Sequence, residues 1–273
     1  MANEPEIPPP SQDDVLWRKE QGVFWITLNR PVVLNAINWS VMTWLMKALD
    51  QAEWDDEVKA IVLHGAGRAF SAGGDLRSTP PPPGTDVPRG MDVYMKIWQM
   101  QKPVVAAVHG YALGQGCEMA GVCDITIAAE SAQFGEVQIR HGFLSPVLIT
   151  PFLAGLKQAK ELLLLGEMVD AREAQRLGLV NRVVPNEDLL AEAEKVALRL
   201  ASLPEQTVRI NKVLVNRVYE LAGFYRALDY GDDPLVRALR TGGADLNEHL
   251  KVLREQGWEA FRQSRDASYK EPG

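Results

Sequence analysis

The stretch PVVAAVHGYALGQGCEMAGVCDITIAAE (103–130) decides the reading of this chain. A continuous apolar run, PVVAAV, has the character of a strand buried on both faces of a parallel sheet. Glycines then interrupt it at 110, 114 and 116. CEMAGVC is helical in composition, and DITIAAE is a second buried strand. Strand, glycine turn, helix and strand in that order define an α/β crossover unit. Within the unit, Glu118 stands alone among small and apolar side chains until Asp124. A carboxylate in such a setting has a partner or a task.

Working outward, VLWRKE (15–20) and VFWITL (23–28) form a strand pair around Gln21-Gly22. Val41, Trp44, Leu45, Ala48 and Leu49 recur at helical spacing over 40–53, with Asn38 or Ser40 as the N-cap. AIVLHG (60–65) is another buried strand, and a further helix spans 90–101 with Met91, Tyr94, Ile97 and Trp98 on one face. Between them, four consecutive prolines at 80–83 exclude helix and central strand. From about 147 the pattern turns helical over 151–167, 171–180, 188–203 and 205–223, broken only by the short strand VNRVV (180–184). A last amphipathic helix covers 244–263 with a break at Gly257. The division expected is a disordered tail over 1–13, an α/β core over 14–200 and a helical assembly region over 201–273.

Composition narrows the function classes. The 273 residues are 46% hydrophobic and 24% charged, an ordinary globular balance. The net charge of −7, with no Lys/Arg run, disfavours nucleic acid and anionic membranes as partners. No segment approaches the ~18 apolar residues of a membrane span, and the acidic, proline-rich start is unlike a signal peptide. Cys117 and Cys123, six residues apart on a helix, point to different faces; a reducing, cytoplasmic setting without a disulfide or zinc site follows. The glycine pairs 65/67 and 114/116 both lack the third glycine of a dinucleotide fingerprint, since Phe70 and Met119 stand there. His64 and His109 end strands before glycines and are read as hydrogen-bonded turn residues. His141 follows Arg140 close in sequence to the acids, and His249 is placed on a solvated helix face.

What remains is a pair of glycine turns, FSAGGD (70–75) and LGQGCE (113–118). Each is expected to present backbone N–H groups at a strand-to-helix transition, backed by a helix dipole. Two such donors converging on one point stabilise an oxyanion as it forms, and Glu118 stands close enough to move a proton beside it.

At this point the chain resembles the enoyl-CoA hydratase/isomerase (crotonase) superfamily. The resemblance rests on LNRPVVLNAIN (28–38), FSAGGDL (70–76), HGYALGQGCEMAGVCDITIAAESAQFG (109–135) and AREAQRLGLVNRVVP (171–185), four collinear motifs over roughly 15–200. It implies a spiral of repeated ββα units and an acyl-CoA-processing lyase of hydratase type. It also implies no cofactor beyond the coenzyme A carried by the substrate, and helical assembly into a homotrimer or a dimer of trimers. It assigns the oxyanion donors to the amides of Gly74 and Gln115 and the acid/base to Glu118. Contacts to the thioester fall on Leu34, Ala72, Asp75, Leu76 and Arg77, with Arg77 near the nucleotide phosphates.

Departures from the family pattern bear on the reaction. Gln115 replaces a glycine, and Val32 stands where a lysine is frequent. Gln138 occupies the place of a second glutamate; it can hold water but not move a proton. Glu136, two residues earlier, would lie on the same side as Gln138 if 132–138 were extended. Leu144-Ser145-Pro146-Val147 replaces a glycine-rich turn that shapes the acyl pocket, so an ordinary short straight chain is not the expected substrate. A double-bond isomerase, a thioester hydrolase and a non-catalytic acyl-CoA-binding member remain as alternatives.

Overall fold

The computed structural model describes residues 9–145, 147–228 and 244–266. Residues 1–8 of the expected tail lie outside these. Within the rest of that segment, Ser11 caps a 3-10 turn at Gln12–Asp14, its carbonyl accepts from Ser40 Oγ (2.8 Å), and Asn29 Nδ2 donates to Asp13 O.

The main sheet has six strands: β1 (Val15–Glu20), β2 (Val23–Leu28), β3 (Ala60–Gly65), β4 (Val104–Val108), β6 (Ile125–Ala129) and β9 (Arg182–Val184), adjacent in that order. The first pair is antiparallel across the Gln21-Gly22 turn; all later pairs are parallel. Alternation explains why its central strands read as unbroken apolar runs. Ile61, Leu63, Val104, Ala106 and Val108 face one core with α1 (Trp39–Trp54), α2 (Gly90–Gln99) and α3 (Gln115–Val122). Ala60, Val62, Val105, Ala107 and Ile127 face another, closed by Leu189, Ala193, Val196 and Ala197 of α7 (Leu189–Ala201). Both faces are covered, so no position on these strands is polar by default.

A second sheet of three short strands, β5 (Tyr111–Leu113), β7 (Gln133–Gly135) and β8 (Met168–Asp170), was not foreseen from the sequence. It gives the spiral its second wall. The chain leaves β4 for β5 and then α3, and leaves β6 for β7. One turn earlier, Ser71 bridges Ala112 and Gly74 bridges Ile37. Each turn of the ββα spiral therefore lays a short extended segment beside the previous one.

The remaining helices are α4 (Thr150–Leu153), α5 (Leu156–Leu165), α6 (Ala171–Leu177), α8 (Glu205–Leu221), α9 (Phe224–Leu228) and α10 (Ala244–Asp266). Gly257 interrupts α10 with φ 85°, the expected break. The α8 helix is tied to the core by Lys212, whose buried ammonium donates to Ile97 O, Lys102 O and Asp124 Oδ2 (2.7 Å). Its other flank is bare: Ile210, Val213, Leu214, Val215, Val218 and Leu221 are exposed, Val218 by 64%. Among the described residues, no helix is long and apolar enough to cross a membrane.

Candidate active site

The two glycine turns do meet, although only one precedes a helix. After Gly73-Gly74 the chain forms no helix; α2 begins only at Gly90. Long-range bonds take the turn instead. Ile37 N donates to Gly73 O (2.7 Å), Asp75 N to Ile37 O (2.9 Å), and Gly73 N to Ser71 Oγ (3.1 Å). The prolines at 80–83 then keep the following loop irregular. The expectation of a dipole behind FSAGGD is thus corrected, while the dipole behind LGQGCE stands.

Two glycines let the turns approach. Gly116, in the first turn of α3, lies so near the first loop that a Cβ on it would fall 2.5 Å from Ser71 O. Gly114 adopts φ 50°, ψ −119°, a conformation that side chains do not tolerate. A Cβ on Gly74 would sit 3.6 Å from the Gln115 side chain, so residues 74 and 115 share one wall. Neither backbone N–H donates to a partner among the described residues. Gly116→Ala is expected to cost about 1–3 kcal/mol through overpacking and to spread the two amides. Urea unfolding and kcat measured together check this; an unchanged pair would contradict the close approach.

Glu118, in the first turn of α3, is fully buried. Its Oε1 accepts from Ser145 Oγ, while Oε2 has no hydrogen-bond partner among the described residues. Glu136, which follows β7, is buried too; Thr150 Oγ1 donates to its Oε1 and Gln138 Nε2 to its Oε2 (2.8 Å). Among the described residues no cation pairs with either carboxylate. Burial, then the Glu136 charge, push the Glu118 carboxyl well above the usual range, against opposition from the Ser145 hydroxyl and the Val147 amide. Burial also raises Glu136, against the hydrogen bonds from Thr150 and Gln138. Tyr94 of α2 donates to Gln115 O (3.2 Å) beneath the turn.

Gln138 completes the group. Residues Val137–His141 form a 3-10 helix rather than an extension of β7, so strand alternation does not set Gln138 beside Glu136; the turn does. The amide oxygen of Gln138 is buried without a partner among the described residues, 3.2 Å from where a Cβ on Gly114 would stand. Among the described residues, two buried acceptors of this group, Glu118 Oε2 and Gln138 Oε1, are thus left without a partner. Buried acceptors left empty by the protein are what a bound donor fills.

The other residues assigned from sequence are distributed along the first wall. Ala72 N donates to Leu34 O (2.9 Å), which seats those two residues together. The Asp75 carboxylate is taken by Arg30 in a buried pair at 2.8 Å, and it also accepts from Arg77 N (3.0 Å). Its backbone is engaged as well, since Asp75 N donates to Ile37 O and Asp75 O accepts from Ser78 N (3.2 Å), so residue 75 braces the turn. Leu76 follows at the turn, half-buried. Arg77 lies 4.6 Å over the Trp258 ring of α10. His109 is the hydrogen-bonded turn residue expected, paired with Gly67 O (2.9 Å), whereas His64 lies within β3 and pairs with Thr27 Oγ1 (2.9 Å) of the neighbouring strand. His249 is not on a solvated face; it is half-buried against the Phe261 ring. The His141 side chain lies outside the described residues. Both cysteines are free.

Three residues of the site were missed in the sequence. Tyr94 was legible only as a packing residue, because helical spacing does not reveal a hydroxyl aimed at a carbonyl. Ser145 and Thr150 lie far along the chain from the acids they serve; the unusual Leu144–Val147 segment was the one available signal.

Residues 18–231 match the family model described as enoyl-CoA hydratase/isomerase, and the chain belongs to that family. It is 38% identical over 213 residues to a probable enoyl-CoA hydratase of Mycobacterium tuberculosis, covering 76% of this chain and 83% of that one. It is 35% identical over 212 residues to the crotonyl-CoA hydratase of Syntrophomonas wolfei, covering 75% and 82%. The crystal structure of an enoyl-CoA hydratase/isomerase from Xanthobacter autotrophicus Py2 superposes with a TM-score of 0.86 at 35% identity, over 93% of this chain and 98% of that one.

Proposed function

We propose that the protein adds water across the double bond of an enoyl-CoA thioester, using one carboxylate for both proton transfers. The observation that carries this reading is a pair of buried acceptors without partners among the described residues, Glu118 Oε2 and Gln138 Oε1, on residues linked through Glu136, whose charge acts on Glu118 and whose Oε2 accepts from Gln138. A water molecule, with two hydrogens to give, fits between acceptors of this kind.

In the reaction, the thioester oxygen accepts from Gly74 N and Gln115 N. Water adds to the β-carbon, its proton passes to ionised Glu118, and the electron pair of the double bond moves onto the thioester oxygen as an enolate. Each amide aimed at that oxygen is worth about 2.7–4 kcal/mol in a dry site. Glu118 then returns the proton to the α-carbon, so that one water is added and the carboxylate is regenerated. Coenzyme A enters only as the carrier of the acyl group. Leu34, Ala72 and Leu76 would line its approach, and Arg77 would leave Trp258 to meet a phosphate.

A panel of enoyl-CoA esters with product analysis tests the reading. Added water supports it. A shifted double bond would replace it with isomerisation, for which one base suffices, and free thiol would replace it with hydrolysis. Tight binding without turnover on every ester would replace it with a non-catalytic role.

The bare apolar flank of α8 is assigned to further copies of this chain, in a homotrimer or a pair of trimers, because its side chains are too apolar to be left to water. Light scattering at micromolar concentration is expected to show three or six chains; a monomer would contradict it. The two free cysteines suit a cytoplasmic setting.

A further inference from the structure

Glu136 has no direct part in the reaction just described, yet it is a buried carboxylate with both oxygens engaged and no cation paired with it among the described residues. Such a group is costly unless it does something. We infer that Glu136 is a positioning residue: held by Thr150, it fixes the Gln138 amide with its nitrogen turned inward and its oxygen toward the reacting water. The inference rests on the hydratase reading for its kinetic consequence, but not for its geometry.

The logic is one of donors and acceptors. An amide can present either end to the cavity, and nothing in Gln138 itself chooses. An ionised carboxylate accepts only. With Thr150 Oγ1 donating to Oε1, the other oxygen of Glu136 faces Gln138 and requires the NH2 group there, at 2.8 Å. Gln138 Oε1 is thereby left unpaired, as observed, next to the turn that carries Gln115 and Glu118. The position thus supplies an acceptor and no proton. Water is oriented with one hydrogen toward Gln138 and the other toward Glu118, and Glu118 alone exchanges it.

Glu136→Gln preserves size and tests the orientation. Its amide oxygen can still accept from Thr150, which turns its NH2 toward Gln138 and forces that residue to present its own NH2 to the cavity. The expected result is a fall in kcat of about 10–100-fold, the cost of one misdirected buried hydrogen bond. KM should stay within about two-fold and the unfolding midpoint should be unchanged. Adding Gln138→Glu in that background restores an acceptor facing the cavity, now bonded to the amide at 136, and kcat is expected to recover.

Orientation is also read without turnover, by hydrogen exchange of the selectively labelled Gln138 side-chain amide. It should be protected in the wild type and exchange readily in Glu136→Gln. Unchanged kcat and equal protection in the single variant would overturn the inference, as would a double variant no faster than the single one. If the wild type adds no water to any ester, the hydratase reading fails separately, and the exchange measurement still decides the role of Glu136.

Discussion

Glu118→Gln is expected to lower kcat for hydration by about 10²–10⁴-fold, the usual worth of acid–base help from one positioned group. KM for the thioester should change little, because the proposed carbonyl donors are the Gly74 and Gln115 amides rather than Glu118. The wild-type pH profile should carry the signature of the same group. In the proposed mechanism Glu118 acts first as a base, so activity should follow its ionised fraction and fall as pH drops through its pKa. Burial and the Glu136 charge raise that pKa, so the acid limb of kcat/KM should lie above the range of an exposed glutamate. The titratable groups facing it are Glu136, Tyr94 of α2 and Cys117 on its own helix, and burial drives both of the latter upward and keeps them neutral. A variant with wild-type kcat, or an acid limb at the ordinary carboxylate position, would remove Glu118 from its role.

Asp75→Ala should produce the largest loss of stability, about 3–5 kcal/mol, because it strands a buried guanidinium. Arg30 keeps only Ala36 O (2.6 Å) and the more distant Asp14 (3.7 Å) once Asp75 is gone. The Asp75 backbone also bonds Ile37, so the 73–75 turn should loosen with it and weaken thioester binding. Urea unfolding measures the first effect and KM the second. A loss under about 1 kcal/mol would mean that the pair is hydrated like a surface bridge.

These two residues show what the sequence could and could not disclose. Glu118 was legible because its neighbours are apolar and its glycine turn is local: the helix, its dipole and its acid lie within ten residues. The parallel strands were legible for the same reason, since burial on both faces writes itself into AIVL and VVAAV. Asp75 read as a ligand contact, because its partner Arg30 is 45 residues away and nothing in either segment announces the pairing. The helix expected after FSAGGD failed on similar grounds, its amides being claimed by Ile37 and Ser71. Strands of three residues, such as Tyr111–Leu113 and Gln133–Gly135, are too short to show a period of two. The bond from Gln138 to Glu136 depends on a 3-10 turn that no alternation pattern encodes.

The most direct measurement is a crystal structure of the protein with acetoacetyl-CoA bound. The thioester oxygen should lie about 2.7–3.1 Å from both Gly74 N and Gln115 N, with Glu118 Oε2 and Gln138 Oε1 facing the β-carbon. A thioester bound elsewhere, or one whose β-carbon meets neither acceptor, would contradict the account.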